Sequence, residues 1–197
     1  MTTILLVRHG ETDWNSEGRW QGHADRPLNE AGRAQALALA DSLAGRQIDA
    51  VYSSDLLRAH VTARIVADRF GLPVELDAGL REVDVGEWSG RSHDDLERSD
   101  PEGFRRWREG GKGWSGGESY EQMGERVVTT VLEIAGRHPG GTVLVVTHGG
   151  SIRACRATAA GLEYAASRVS AIGSTGNCEV VELAVADGRL VVAASVE

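Results

Sequence analysis

The sequence predicts an α/β fold, a single-domain three-layer αβα sandwich with a mainly parallel central sheet. Two short apolar runs, at 4–7 and 143–146, are bounded by glycine or polar residues, as is typical of strands buried on both faces of a parallel sheet. Segments with helical spacing of apolar residues lie between these runs, so strands and helices alternate. The length of 197 residues favours one domain, residues 1–197.

In the first half of the chain, two helices and a second strand follow the strand at 4–7. Apolar residues at 36, 39, 40 and 43 keep the spacing of one helix face. A weaker apolar run at 50–52 predicts the second strand. Residues 57, 61 and 65 predict the buried face of the next helix, and we expect Ser54 to cap that helix.

In the second half, a long helix is predicted after a segment of unclear period. Residues 86–117 are rich in glycine, arginine, tryptophan and acids and fit neither a helix nor a strand, so we expect a small cap excursion over one edge of the sheet. Ser119 and Gln122 then fit a capping box, and a stripe of apolar residues follows from Tyr120 to Ile134.

The last third of the chain predicts a short helix and a hairpin. The helix follows Gly149 and Gly150, with Ile152, Cys155 and Ala159 on one face. Strands around 180–185 and 190–194 are joined through Asp187-Gly188, a strong hairpin signal.

Composition excludes several classes of function. The formal net charge of −8 argues against nucleic acid and against an anionic membrane surface as partners. No apolar stretch is long enough for export or a membrane span, and Cys155 and Cys178 sit in apolar contexts as reduced core residues do, so we expect a cytoplasmic protein. Acidic, histidine and cysteine residues show no metal-ligand spacing, so no metal and no cofactor is expected. Assembly into a homodimer stays open.

The chemistry of the chain collects where the predicted strands end. Arg8-His9-Gly10 follows the first strand and His148-Gly149 follows the late one, so two histidines reach the same rim of the sheet. Ligands of open α/β sheets bind beyond the carboxyl ends of the strands. A neutral imidazole at His9 can attack phosphorus while guanidinium groups hold the phosphoryl oxygens.

Arg58 is a second sign of an anion site. It lies near the first turn of a predicted helix, where the helix dipole disfavours a cation unless an anion binds beside it. The alternative is that Arg58 pairs with Asp55 or Asp41.

The sequence resembles the histidine phosphatase superfamily, which includes the cofactor-dependent phosphoglycerate mutases and many small phosphatases. Five segments carry the resemblance, in order and at family spacing, and together they cover most of the chain. They are residues 6–15 with their continuation at 21–22 and 27–32, then 51–59, 80–82 with 86–88, 116–119 and 146–150.

The resemblance implies a role for each matching residue. His9 would be the nucleophile that becomes phosphohistidine, and Arg8, Arg58 and His148 would hold the phosphoryl oxygens. Glu82 would be the acid for the leaving oxygen and then the base for water. Hydrogen bonds to the phosphate or to the rest of the substrate would come from Thr12, Asn15, Gln21, Gly22 and Gly149. The partner is then a small-molecule phosphate monoester.

Three functions are compatible with these residues. A phosphatase is favoured over a phosphoglycerate mutase, because Val85 stands where similar mutases carry a tyrosine and the segment from Glu82 to Ser119 is short. Arg105 and Arg106 could imitate the paired arginines of the mutases, but their setting is typical of a solvated helix face. A phospholigand-binding module without turnover is the third reading. Substrate identity stays open, as does contact of Trp14, Trp20 or Trp88 with substrate.

Overall fold

A computed structural model describes residues 1–164 and 172–193 of the chain. Its strands form one six-stranded sheet; they are β1 Thr2–Arg8, β2 Ala50–Ser53, β3 Val74–Leu76, β4 Thr142–Thr147, β5 Val180–Ala186 and β6 Arg189–Val192. The strand order is β3-β2-β4-β1-β5-β6. The first four strands pair in parallel, whereas β5 is antiparallel to β1 and β6 is antiparallel to β5. The parallel centre of the sheet confirms the predicted fold class.

Seven α-helices lie in the described part of the chain. They are α1 Asp13–Ser16, α2 Glu30–Ser42, α3 Leu57–Phe70, α4 His93–Ser99, α5 Pro101–Arg108, α6 Tyr120–Arg137 and α7 Gly149–Ala159. Two 3₁₀ turns, Ala78–Leu80 and Gly86–Trp88, precede α4. In the residues that the structure describes, no helix is long and apolar enough to cross a membrane.

Strand β1 shows why the fold has three layers. Successive side chains of a strand point to opposite faces, and both faces of β1 are buried. Ile4 and Leu6 pack with the buried stripe of α6 and with Ile152 of α7. Leu5 and Val7 pack with α2 and α3 on the other face. Burial of each of these side chains contributes about 1.5–3 kcal/mol.

The predicted faces of α2 and α6 are confirmed, but that of α3 is wrong. Leu57 is 38% exposed, whereas Ala59, Ala63 and Val66 are fully buried against the sheet. Alanine side chains let α3 approach the sheet closely, so the buried face of this helix carries smaller residues than the face that the pattern indicated.

Ser54 does not cap α3. The N-cap is Leu56, which has no side-chain oxygen, and the Ser54 hydroxyl instead accepts a 3.3 Å hydrogen bond from the Leu56 amide. Ser54 therefore lies two residues before the N-cap, where its hydroxyl contacts His148.

The segment 86–117 contains two helices, of which the sequence indicated only a solvated face around Arg105 and Arg106. Asp100 ends α4 and also caps α5, with Pro101 as the first residue of α5. Two helices of seven and eight residues are too short to show a clear period. The segment buries Trp88, Leu96 and Phe104 in the same core cluster as α6.

The C-terminal hairpin is confirmed. Ala186 pairs with Arg189, and Asp187 and Gly188 both have positive φ angles, 50° and 72°, as a two-residue type I′ turn requires. The end of the predicted last strand, Ala194, lies outside the described residues. Cys155 is buried, Cys178 is only partly buried, and both are free thiols.

Candidate active site

His9 stands at the carboxyl end of β1 with its ring fixed in one orientation. The side chain is only 4% exposed, and Nδ1 lies 2.7 Å from the Gly10 carbonyl oxygen. A carbonyl oxygen can only accept, so this contact places the imidazole proton on Nδ1. Nε2 then carries the lone pair. The His9 carbonyl in turn accepts a 2.8 Å hydrogen bond from Asn177 Nδ2, which ties the end of β1 to the segment before β5.

His148 meets His9 from the end of β4. The ring centroids are 5.2 Å apart at an interplanar angle of 61°. His148 is fully buried, and its Nε2 lies 2.9 Å from the Ser54 hydroxyl oxygen. Nδ1 of His148 is buried and has no hydrogen-bond partner among the described residues.

The two predicted arginines are each anchored by their outer nitrogens. Arg58 donates from Nη1 to the Ala24 carbonyl and from Nη2 to the Gly22 carbonyl, both at 2.8 Å. Arg8 donates from Nη1 to the Thr175 carbonyl at 2.8 Å. In both arginines Nε is buried without a partner in residues 1–164 and 172–193. Arg58 does not pair with Asp55, which binds Arg81 instead.

Burial and like charge shape the electrostatics of these groups. Burial lowers the pKa of Arg58 to about 10, so this guanidinium stays protonated at neutral pH. The pKa values of His9 and His148 are both lowered well below 6.5, first by burial and then by Arg58. Without a bound anion, both imidazoles are therefore neutral at pH 7. The guanidinium groups of Arg8 and Arg58 are therefore buried positive charges, which favour binding of an anion beside them.

Glu82 lies on the loop after the first 3₁₀ turn and lines the same cavity as His9. Its Oε2 accepts a 3.0 Å hydrogen bond from the Gly150 amide in the first turn of α7, and Oε1 accepts one of 2.9 Å from the Val83 amide. A Cβ atom at position 150 would lie 2.3 Å from Glu82 Oε1. Glycine at this position thus lets the carboxylate approach the positive end of a helix.

Most of the predicted residues line one cavity, which has a volume of about 450 Å³; His148 is fully buried beside His9 and is not among the lining residues. Asn15, Gln21, Gly22 and Gly149 line it together with Arg8, His9, Arg58 and Glu82. Thr12 does not line the cavity. It is fully buried and forms a capping box with Asn15 at the start of α1, and so holds Asn15 in place.

The opposite side of the cavity is aromatic and was not predicted. Its lining side chains are Trp14, Trp20, His93, Trp107, Tyr120 and Tyr164, with Arg19 and Arg153 among them. Trp88 is buried behind them and donates from Nε1 to Asp100 at 3.0 Å. Arg105 and Arg106 do not line the cavity and are exposed, as their setting indicated. Of the three tryptophans considered from the sequence, Trp14 and Trp20 line the cavity and Trp88 does not.

A second group that sequence reasoning missed lies just outside the cavity. Arg126 of α6 and Glu118 form an ion pair beside the loop that carries Glu82. Glu118 belongs to one of the family-like segments, but neither residue had a role. In the described part of the chain, histidine, cysteine and acidic side chains form no group of three placed to hold a metal ion.

Comparison with curated sequences gives relatives over most of the chain. It is 42% identical over 155 residues to "Phosphoglycerate mutase-like protein 4" of Arabidopsis thaliana, covering 76% of this chain and 67% of the relative. It is 37% identical over 190 residues to "Glucosyl-3-phosphoglycerate phosphatase" of Mycobacterium tuberculosis, covering 91% of this chain and 84% of the relative. Over 156 residues it is 39% identical to "Phosphoserine phosphatase 1" of Hydrogenobacter thermophilus, covering 78% of this chain and 74% of the relative.

Solved structures and a family profile agree with these relatives. "Bacillus stearothermophilus YhfR" superposes with a TM-score of 0.91 at 33% identity, covering 99% of this chain and 96% of that one. The profile "Histidine phosphatase superfamily (branch 1)" matches residues 4–196. The predicted family resemblance, fold and phosphatase class are confirmed. The chain belongs to branch 1 of the histidine phosphatase superfamily.

Proposed function

We propose that the protein hydrolyses a small phosphate monoester in two steps, with His9 as the nucleophile. One observation carries this proposal: three buried nitrogens, Arg8 Nε, Arg58 Nε and His148 Nδ1, have no partner among the described residues. Buried nitrogens of this kind cost free energy unless a ligand pairs with them. They belong to neighbours of His9, whose free lone pair is on Nε2: Arg8 and Arg58 line the same cavity as His9, and the His148 ring lies 5.2 Å from its ring. A phosphoryl group with three oxygens fits this arrangement.

In the first step, the phosphoryl group moves from the substrate to His9. The Nε2 lone pair forms the nitrogen–phosphorus bond as the bond from phosphorus to the ester oxygen breaks. Glu82, protonated at the start, gives its proton to the leaving oxygen, so an alcohol departs. Arg8 and Arg58 stabilise the charge on the equatorial oxygens, since phosphoryl transfer depends mainly on positioning and electrostatics.

In the second step, water takes the place of the alcohol. The Glu82 carboxylate now removes a proton from water, the oxygen attacks phosphorus and the bond to His9 Nε2 breaks. Inorganic phosphate leaves and Glu82 is protonated again. Both carboxylate oxygens accept one amide hydrogen bond, so each retains a further lone pair for the reacting proton.

His148 can donate to the phosphoryl group without becoming cationic. When the proton is on Nδ1, Nε2 accepts a hydrogen bond from the Ser54 hydroxyl. The Nδ1–H group has no partner among the described residues and can donate to the phosphoryl group. A bound dianion additionally opposes the effects of burial and Arg58 on the pKa of this imidazole.

For the substrate, we propose a phosphorylated hydroxy acid or amino acid. Arg153 lines the cavity and lies one helical turn after Gly149, so a cation faces the leaving group beyond the phosphate. The named substrates of the two phosphatase relatives, glucosyl-3-phosphoglycerate and phosphoserine, both carry a carboxylate. The aromatic side chains opposite leave room for an organic group larger than glycerate.

Trapping the intermediate tests the chemistry. Glu82→Gln or His148→Ala protein, quenched during reaction with ³²P-labelled substrate, is expected to carry acid-labile phosphate on His9. A His9→Ala protein is the control and should carry none. If neither trapping variant becomes labelled while the wild type releases phosphate, the covalent mechanism is wrong.

A substrate panel tests specificity. Phosphoserine, 3-phosphoglycerate and glucosyl-3-phosphoglycerate are expected to exceed neutral sugar phosphates in kcat/KM, and Arg153→Gln should remove that preference. Conversion of 3- to 2-phosphoglycerate that depends on 2,3-bisphosphoglycerate would instead identify a mutase. Binding of phosphate without any turnover would identify a binding module.

A further inference from the structure

Several side chains hold the loop that carries Glu82 from outside the cavity, and among them Arg126 binds the most of its carbonyl groups. We infer that Arg126 is a positioning residue for Glu82, which acts on the protonation of the leaving group without touching the substrate. This inference rests on the acid role of Glu82 in the proposed function. It is carried by the hydrogen bonds of the guanidinium, which lead to the backbone on which Glu82 is mounted.

Arg126 binds the carbonyl groups along this loop. Nη1 donates to the Gly79 carbonyl at 2.8 Å and to the Arg81 carbonyl at 3.1 Å. Nη2 donates to the carbonyl of Glu82 itself at 3.4 Å. A guanidinium offers five N–H groups in a fixed plane, so it can hold several carbonyls at once, which a lysine ammonium does less well.

Glu118 completes the arrangement from the other side of Glu82. It pairs with Arg126, whose Nε lies 3.3 Å from Oε2, and its Oε1 accepts a 3.2 Å hydrogen bond from the Asp84 amide. The ion pair thus contacts backbone both before and after the loop's catalytic carboxylate. Side-chain exposure is 27% for Arg126 and 20% for Glu118, so water screens the pair only in part.

Two further contacts meet the same loop. His23 Nε2 lies 2.8 Å from the Glu82 carbonyl oxygen, so this carbonyl is contacted by two donors. The Ser151 hydroxyl of α7 donates to the Arg81 carbonyl at 3.1 Å. Since Glu82 Oε2 is bound to α7 at Gly150, the loop is fixed between α6 and α7. Of the loop's contacts, those of Arg126 reach the most carbonyls.

A functional consequence follows from where these contacts end. Arg126 is not among the residues that line the cavity, and the arginines that hold the phosphoryl group have separate anchors at Thr175, Gly22 and Ala24. Loss of Arg126 should therefore displace Glu82 and leave phosphoryl binding intact. A misplacement of about 1 Å can cost about 10²-fold in rate.

Leaving groups of different basicity separate this role from a general structural one. p-Nitrophenolate leaves without a proton, whereas the alkoxide of phosphoserine or β-glycerol phosphate needs the acid. In Arg126→Gln, we expect kcat/KM to fall about 10- to 100-fold for the alkyl phosphates and less than about 3-fold for p-nitrophenyl phosphate. The ratio kcat/KM is the quantity to compare, because it reports the step that transfers the phosphoryl group to His9.

Arg126→Lys should restore part of the loss, since it keeps the charge and some of the hydrogen bonds. The control is Arg46→Gln, which breaks an exposed ion pair to Glu182, 2.8 Å long, and should change neither substrate. If Arg126→Gln does not fold, Arg126→Lys and Glu118→Gln carry the test, with smaller losses of the same selectivity.

Glu82→Gln, assayed alongside, separates the positioning role of Arg126 from the acid role of Glu82. If Glu82→Gln discriminates between the leaving groups and the folded Arg126 variants do not, the positioning role is wrong while the proposed function stands. Equal losses for both substrates in the Arg126 variants also overturn it. If Glu82→Gln itself shows no discrimination, the acid role of Glu82 is wrong.

Discussion

The two sides of the cavity are built in different ways. On the phosphoryl side, named for the group that we propose it binds, Arg8, His9 and Arg58 come from a strand end and a helix start, with His148 buried beside His9. Hydrogen bonds fix the ring of His9 and the outer nitrogens of both arginines. On the leaving-group side, aromatic rings contact one another, as Trp20 and Trp107 do with centroids 5.2 Å apart. Hydrogen bonds fix direction, whereas ring contacts mainly fill space. The phosphoryl side should therefore tolerate substitution least.

The largest effect is expected from Arg58→Gln on the phosphoryl side. One donor that faces the phosphoryl oxygens is lost, and kcat/KM should fall about 10²–10³-fold for every substrate, p-nitrophenyl phosphate included. The unpaired carbonyls of Gly22 and Ala24 should also lower the free energy of unfolding by about 1–3 kcal/mol. Arg64→Gln, an exposed residue of the same helix, serves as the control. A loss confined to one class of substrate would contradict this assignment.

Gly150→Ala tests the boundary between the two sides. The new Cβ would meet Glu82 Oε1 at 2.3 Å, and the carboxylate must turn away from α7. We expect about a 10-fold loss of kcat/KM for alkyl phosphates. The free energy of unfolding should not fall, because alanine favours a helix by about 1 kcal/mol over glycine. Gly136→Ala in α6, where no atom lies within 4 Å, is the matched control for helix stability.

An effect of similar size but different selectivity is expected from Trp107→Leu on the leaving-group side. This side chain lines the cavity and donates from Nε1 to the Tyr120 hydroxyl at 3.2 Å. Its loss should change kcat/KM among metabolite substrates by about 10-fold while p-nitrophenyl phosphate changes less. Steady-state kinetics across the panel measure this, with Arg105→Gln on the same helix as control. Equal loss for all substrates would show that the two sides are not independent.

The smallest effect concerns pH and stability. The pKa values of His9 and His148 lie well below 6.5 in the folded protein, so below pH 6.5 the unfolded chain binds protons that the folded chain does not. The free energy of unfolding should therefore have its full value near pH 7 and fall as the pH drops below 6.5. Thermal unfolding of ligand-free protein at pH 7.5 and pH 5 measures this loss of stability. His148→Asn should reduce the difference in stability between the two pH values. An unchanged or steeper dependence in this variant would contradict it.

Residues of the phosphoryl side could be placed from the sequence and most residues of the leaving-group side could not, for physical reasons. Strand ends are local features, so Arg8, His9 and His148 could be placed from apolar runs and their flanking glycines. The rings of Trp107, Tyr120 and Tyr164 come from the short helix α5, the start of α6 and the segment after α7, and only long-range packing brings them together. Their presence in the cavity depends on the tertiary fold.

Arg126 illustrates a second limit. Its partners at residues 78–82 lie 44 to 48 positions away along the chain and are backbone carbonyls, which every sequence has. No residue pattern can mark such a contact. The prediction of the buried face of α3 was wrong for a different reason. Alanines rather than the larger Leu57 pack against the sheet.

The position of the tryptophans gives the protein a built-in optical probe. All five lie around the cavity or in the aromatic cluster behind it, at 14, 20, 88, 107 and 114, and none lies in the sheet or in α2, α3, α6 or α7. Intrinsic fluorescence therefore observes the leaving-group side, whereas far-ultraviolet circular dichroism observes the sandwich. Heating the protein under both signals would show whether the aromatic side melts with the sheet or before it.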